Sequence, residues 1–333
     1  MDSIMEVVNL HKQFEIKTGL LTKAKINAVD GVSFNLVAGE TLGVVGESGS
    51  GKSTLGRTIL KLTNADSGKV IYKGEDLVPL TSKQMKRHRS QLQMIFQDPY
   101  ASLNPRLKVG TSISEPMLAN NPSLGRDEAK RSAIELLELV GLSPQMYNLY
   151  PHEFSGGQRQ RISIARAIAP KPSIIVCDEA VSALDVSVQA QMLNLFNELK
   201  EKLSLTYIFI GHDLSVIKYI SDRILVMYLG QVVELAPTDA IFGSKMHPYT
   251  QALVSAVPEP NATKRQSKRI ILEGDIPSPG SVPKGCQFAS RCFMKMKMCM
   301  EAAPNLTEVE EGHLVRCHHH ARLKKAAQDV PNG

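Results

Sequence analysis

Nine residues, GESGSGKST from Gly46 to Thr54, constrain this 333-residue chain more than any other stretch. They fit the pattern G-x-x-x-x-G-K-[ST], with Gly46, Gly51, Lys52 and Ser53 in place. The apolar run TLGVVG before them reads as a buried strand, and STLGRTILKL after them reads as a helix. Strand, loop and helix in that order are what a phosphate loop requires. Phosphate oxygens must meet converging backbone N–H groups with no Cβ in the way, so glycines recur. The helix start near Ser53 adds about half a positive charge. Lys52 is expected at the β and γ phosphates, and the Ser53 hydroxyl on Mg²⁺. The ATP site is therefore expected to comprise Gly46, Glu47, Ser48, Gly49, Ser50, Gly51, Lys52, Ser53 and Thr54.

The surrounding chain alternates strands and helices, which predicts a mostly parallel sheet covered on both faces. MEVVNLHKQF reads as a strand, AVDGVSFNLVAGE as two strand segments around a Gly-centred turn, and SGKVIYKGEDL as a short β segment. From about residue 96 the pattern turns helical. EAKRSAIELLELVG places Ile134, Leu137 and Val140 on one face, with Gly141 ending the helix. PSIIVCDE, TYIFIGHD and RILVMYLGQVVEL read as strands. SVQAQMLNLFNELKEKL reads as a helix with Ser187 as N-cap and a stripe of Val188, Met192, Leu195, Leu199 and Leu203. After about residue 256 the Pro- and Lys-rich stretches PEPNATKRQSKR and IPSPGSVPKG read as linkers around a small cysteine-bearing module.

Two further segments carry chemistry. IIVCDE puts Asp178 at a strand end, where a carboxylate holds Mg²⁺ through water. Glu179 points to the other side and is the better group to polarise an attacking water. In FSGGQRQRISIARAIAPKP, Ser155, Gly156 and Gly157 precede a helix starting near Gln158, a second anion cradle on the same chain. One nucleotide needs one cradle, so the second is expected to complete the site of another subunit. Cys177 reads as a small buried hydrophobe.

Taken together these motifs resemble the nucleotide-binding subunit of an ATP-binding cassette (ABC) transporter over about residues 5 to 255. By that resemblance GESGSGKST is the Walker A loop, IIVCDE the Walker B strand, and FSGGQ the signature loop, with Phe154 where Leu is usual. Gln97 matches the Q-loop that senses the γ-phosphate and couples to the membrane partner, Ser182 to Asp185 the D-loop, and His212 the switch histidine. Ala180 stands where the family normally has Pro after the catalytic Glu, and removes no catalytic group. The resemblance implies catalysis by Glu179, His212 and Gln97, and Mg²⁺ held by Ser53, Gln97 and Asp178. It also implies ATP closed over in trans by Ser155, Gly156, Gly157 and Gln158. Phe14 matches the aromatic that stacks on adenine, with core packing as the alternative.

The stretches DPYASLNPRLKVG, DVSVQAQMLNLF and MHPYTQALVSAVPEP, with His247, Pro248 and Tyr249, are similar to the oligopeptide and dipeptide importer ATPases. The expected fold is α/β: a P-loop, RecA-like parallel sheet with an antiparallel β edge, a helical insertion and a small Cys-rich extension. Residues 1–255 form the nucleotide-binding domain, with its helical subdomain at about 96–160, and 256–333 the extension. Expected partners are a second homologous ATPase, two transmembrane permeases and an extracytoplasmic substrate-binding protein, with no nucleic acid. Peptides are the family default as cargo, beside nickel, opines, oligosaccharides and antimicrobial peptides.

Cys286-x5-Cys292-x6-Cys299-x17-Cys317 offers four thiolates for a [4Fe–4S] cluster or tetrahedral zinc. The C-x2–4-C pairs usual in structural zinc sites are absent, and relatives are thought to hold a cluster here, so an iron–sulfur clasp is expected. A basic, nucleic-acid-binding tail is the weaker alternative, since paired C-x2-C and aromatics are both lacking. With no apolar run near the ~18 residues of a membrane span and no signal peptide, the chain is expected to stay in the cytoplasm, and the family resemblance implies a peripheral seat at the cytoplasmic face of the inner membrane. The absence of Trp and the few aromatics argue against a carbohydrate cleft or a base-stacking platform. The net charge of +6 reads first as a solvated surface with a mild excess of Lys and Arg, with basic faces meeting nucleotide phosphates and an anionic membrane as the sharper alternative.

Overall fold

Glycine punctuation and apolar runs divide the chain into twelve strands and eleven α-helices among the residues described by the computed structural model, 3–17, 23–243, 247–257, 269–274 and 284–319. The chain opens with β1 (Ser3–Lys17), β2 (Lys23–Val37), β3 (Thr41–Val45), α1 (Lys52–Ile59), β4 (Ser67–Tyr72) and β5 (Glu75–Asp76). It continues through α2 (Ser82–Arg89), β6 (Leu92–Ile95), α3 (Pro99–Ser102), α4 (Val109–Asn120) and α5 (Arg126–Leu139). Two 3₁₀ turns, Pro144–Asn148 and Pro151–Glu153, lead to α6 (Gly156–Ile168), β7 (Ile174–Asp178), α7 (Val186–Leu203) and β8 (Thr206–Ile210). Next come α8 (Leu214–Ile220), β9 (Arg223–Tyr228), β10 (Gln231–Pro237), α9 (Thr238–Gly243) and α10 (Pro248–Ser255). The extension supplies α11 (Lys297–Glu301), β11 (Thr307–Glu310) and β12 (His313–Val315). Two compact units result, one of residues 1–3, 37–41 and 79–211, the other of 4–36, 42–78 and 212–333.

In the first unit β6, β7 and β8 run parallel, with Leu92 opposite Ile174 and Ile174 opposite Thr206. All five residues of β7 and of β8 are buried, as expected of strands covered on both faces. Helix α7 turns Met192, Leu193, Leu195, Phe196 and Leu199 into the core. There the Phe196 ring meets Tyr207 and Phe209 edge-on, at 5.7 and 5.4 Å. Its N-cap is Asp185 rather than Ser187, because the helix begins at Val186 directly after the SALD turn. Its stripe also stops short, since Leu203 is 41% exposed at the helix end. Helices α4, α5 and α6 pack on one another as the helical part of this unit. Helix α5 buries Ala129, Ala133 and Leu137 and stops at Gly141, whose φ of 75° ends the helix.

In the second unit β2, β1, β4 and β5 form a four-stranded sheet, β1 antiparallel to β4. The expected turn at Gly31 does not form. Gly31 takes φ 66° inside one continuous β2, a glycine kink that the strand absorbs. Strand β3, buried throughout, pairs in parallel with β9, and β10 and β12 continue antiparallel from it. The described part of the extension thus belongs to this unit, with β12 added to β10. The join is fastened by a buried pair, His313 Nε2 to Glu234 Oε1 at 2.8 Å, while Glu234 Oε2 accepts the His247 N–H at 3.0 Å. Arg316 adds its N–H to the Val233 carbonyl and its Nε to that of Val232, both at 2.8 Å. A buried, hydrogen-bonded polar pair fixes the register of β12 on β10.

Candidate active site

The phosphate loop of the second unit leaves β3 at Gly46 and enters α1 at Lys52. Gly46, Gly49 and Gly51 take φ of 155, 80 and 101°. A Cβ on Gly46 would stand 2.3 Å from the Met227 carbonyl oxygen, and one on Gly51 would stand 1.9 Å from that of Ala28. Gly49 faces open space, so only its φ calls for glycine. Lys52 is buried, and its ammonium donates to the carbonyls of Gly46 and Glu47 at 2.8 and 3.0 Å. The cation is thereby aimed along the loop that the glycines shape. Ser50 closes the loop, its N–H bonded to the Glu47 carbonyl and its carbonyl accepting the Gly230 N–H.

Elsewhere in this unit Phe14 is 42% exposed on β1, with Lys12 Nζ 5.3 Å from its ring centroid. A ring so exposed is not packed in the core. His212 is exposed one residue before Asp213, which caps α8 by accepting the Ser215 N–H at 2.8 Å.

The first unit holds the carboxylates. Asp178 closes β7 and is buried, while Glu179 follows at φ 49° with its N–H on the Ile210 carbonyl at 3.0 Å. Left-handed backbone at a non-glycine residue is concentrated at functional sites. Gln97 Nε2 donates to Glu179 Oε2 at 2.8 Å, so two of the expected catalytic residues meet directly. Cys177 is fully buried, and burial pushes its thiol far above the ordinary range, which suits an inert packing residue.

The Ser155 cradle lies in the same unit. Ser155 Oγ accepts the Gln158 N–H at 3.3 Å and Gln158 Oε1 accepts the Ser155 N–H at 3.0 Å, a reciprocal capping box. The cap fixes the start of α6, whose first turn carries no acidic residue. Nothing lies within 4 Å of a Cβ built on Gly156, whereas one on Gly157 would meet Val188 Cγ1 at 2.8 Å. Phe154 is buried beneath, so it fills the position of the usual Leu as core.

The four extension cysteines share one neighbourhood. Burial first, then Cys286, Cys292 and Cys299, raise the Cys317 thiol to about 12. Burial, partly offset by the Met294 N–H and reinforced by Cys286 and Cys299, raises Cys292 to about 11. Met294 and His319 donate backbone N–H groups to the sulfurs of Cys292 and Cys317, both at 3.4 Å. Among the described residues no group of three or more His, Cys, Asp or Glu is placed to hold a metal ion. The sulfurs of these cysteines are not closed on a single ion.

One contact was invisible in the sequence. Arg291 of the extension forks onto Glu47 of the phosphate loop at 2.7 and 3.1 Å. No local pattern marks a pair 244 residues apart.

Comparison with known proteins adds the following. Residues 29–182 match the ABC transporter family model, and 233–299 match the model for the C-terminal region of oligopeptide and dipeptide transporters. The oligopeptide transport ATP-binding protein AppF of Bacillus subtilis is 48% identical over 95% of this chain and 97% of that protein. The dipeptide transport ATP-binding protein DppF of Escherichia coli is 46% identical over 94% and 93%. Among solved structures, a dimeric post-hydrolysis ATP-binding cassette bound to ADP and Pi superposes with a TM-score of 0.63 at 27% identity, over 70% of this chain and 98% of that one.

Proposed function

The chain belongs to the ATP-binding subunits of oligopeptide and dipeptide ABC transporters, and from that membership we propose that it powers a peptide importer as one of two paired ATPases on two permeases. It is an ABC-type ATPase that uses ATP and Mg²⁺. The proposal takes 1–255 as the cassette, with a helical part at about 96–160, and 256–333 as the extension. Delivery by an extracytoplasmic binding protein and a seat at the cytoplasmic face of the membrane complete it. Among the described residues no helix is long and apolar enough to cross a membrane.

The observation that carries the reading is two phosphate cradles on one chain, the Lys52 loop and the capped helix start at Ser155. In the proposed cycle ATP lies on Gly46–Thr54 with Phe14 against adenine and Mg²⁺ on Ser53, Gln97 and Asp178. The partner's signature loop closes over it, and Ser155–Gln158 of this chain close over the partner's ATP. Glu179, oriented by Gln97, takes the proton of the attacking water, and His212 contacts the γ-phosphate. ATP and ADP differ in their contacts with the closed pair, which is what moves the permeases. Gly157→Asp tests the trans role. It introduces a carboxylate at the start of α6 and crowds Val188, so ATP binding to the isolated chain should persist. ATP hydrolysis by the assembled transporter should fall by about 10²–10³. Loss of binding in the isolated chain, or full turnover in the complex, would reject it.

For the cysteines we infer a [4Fe–4S] cluster held by Cys286, Cys292, Cys299 and Cys317, with zinc as the alternative. The shared neighbourhood of the thiols and the two N–H···S bonds support it. Bound there, the group would supply a clasp between the α11 segment and the β12 end. Anaerobically purified protein should contain about four iron and four sulfide per chain. One zinc, or no metal, would refute the cluster.

A further inference from the structure

Glu47, the second residue of the phosphate loop, is held from outside the loop at both of its polar ends. Its backbone N–H donates to the Tyr249 hydroxyl at 2.8 Å. Its carboxylate receives the Arg291 guanidinium as a fork, Nη1 to Oε2 at 2.7 Å and Nη2 to Oε1 at 3.1 Å. The Arg291 side chain is only 8% exposed, and its guanidinium lies 6.0 Å from the Tyr228 ring centroid. Tyr228 packs in turn on Tyr249 at 4.9 Å and on Phe288 of the extension at 5.2 Å. A bidentate guanidinium seated over an aromatic ring has one geometry, unlike a pair of mobile surface charges. On the loop's other side, the carbonyl of this same Glu47 helps to hold the Lys52 ammonium.

We propose that Arg291 is a positioning residue for ATP binding, acting through Glu47 to hold the phosphate loop in the shape that presents Lys52. The inference rests on the assignment of Gly46–Thr54 as the ATP loop. The physical reason is the loop's own softness. Gly46, Gly49 and Gly51 sit at positive φ, and glycine loses more conformational freedom on ordering than any other residue. A loop ordered beforehand spares the ligand that entropy. The Cys-rich extension is in this way part of the nucleotide site although it contributes no phosphate ligand. Linkage then requires ATP to tighten the extension by the same factor with which the extension tightens ATP.

The test uses the full-length chain for binding and the assembled transporter for turnover. Arg291→Ala should weaken ATP binding about tenfold. The loss should fall on KM and not on kcat. Glu47→Gln leaves Arg291 on its aromatic bed and should weaken binding to a similar extent. The double variant should be no worse than the worse single, because both act through one link. Arg291→Lys, a point charge in place of a fork, should recover part of the affinity. ATP should raise amide-exchange protection across 284–300 in the unaltered protein and not in Arg291→Ala. Unchanged ATP affinity in the single variants overturns the proposal, as does additive loss in the double variant. Reduced thermal stability with ATP affinity intact overturns it too. Lys52→Ala separates the two layers: if it also binds ATP normally the loop assignment itself fails, and if it alone loses ATP only the role of Arg291 fails.

Discussion

Glu179→Gln is expected to leave ATP binding in place while slowing hydrolysis by about 10²–10⁴. The side chain leaves a left-handed residue at the end of β7, where its N–H is tied to the Ile210 carbonyl and its carboxylate to Gln97. Those bonds fix where the carboxylate points, so the proposed general base is oriented before any water arrives. Glutamine matches the shape of glutamate and cannot accept a proton at neutral pH. The fold, Asp178 as the proposed Mg²⁺ carboxylate, and the phosphate loop are untouched by the change. The loss should therefore appear in the chemical step. Nucleotide binding, followed by fluorescence of a labelled ATP, and single-turnover hydrolysis separate the two. Near-normal turnover would remove Glu179 from the role of base. A loss of binding equal to the loss of rate would make it a ligand-holding residue instead.

What was legible in the sequence was whatever chemistry concentrates in a short window. The GESGSGKST loop, the IIVCDE strand end and the FSGGQ helix start are each set by backbone needs that only certain residues meet. Gln97 and His212 needed the family pattern, since a lone Gln or His says little. Their structural positions differ in what they add, because Gln97 bonds Glu179 and His212 stands exposed beside the α8 cap. Strand and helix identities followed from apolar runs, and the misreadings were local. Gly31 looked like a turn because glycine serves turns and kinked strands equally well, and the local sequence does not say which. Ser187 was a plausible cap, yet Asp185 two residues earlier took the position. Strand β6 and helix α2 were not foreseen, because SKQMKRHR is too polar for a periodic signal and LQMI too short for one. The extension was legible as a cysteine module and illegible as a neighbour of the phosphate loop. Arg291 and Tyr249 meet Glu47 across 244 and 202 residues, and His313 meets Glu234 across 79, and pairing at such separations leaves no trace in composition or period.

Gly51→Ala should abolish useful ATP binding, by about a thousandfold or more, whereas Gly49→Ala should cost about a hundredfold or less. The two glycines share a left-handed φ, 101° at Gly51 and 80° at Gly49, so each alanine bears the strain of a backbone that L side chains rarely adopt. That strain is of order 1–3 kcal/mol. They differ in what a Cβ meets. At Gly49 there is open space within 4 Å, and the strain is the whole cost. At Gly51 the Cβ would lie 1.9 Å from the Ala28 carbonyl oxygen and 3.1 Å from its carbon. Both are backbone atoms of β2, which its sheet holds in place, so the loop must move and not the strand. Gly51 also caps α1, its carbonyl accepting the Leu55 N–H at 2.8 Å, so any displacement carries Lys52 and Ser53 with it. The alanine therefore displaces the Lys52 ammonium and the Ser53 hydroxyl, the proposed Mg²⁺ ligand, together, without deleting either group. ATP titration of the two variants, at a temperature where both remain folded, decides the matter. Equal losses at the two positions would mean that backbone strain alone governs the loop and that the close approach to β2 contributes nothing.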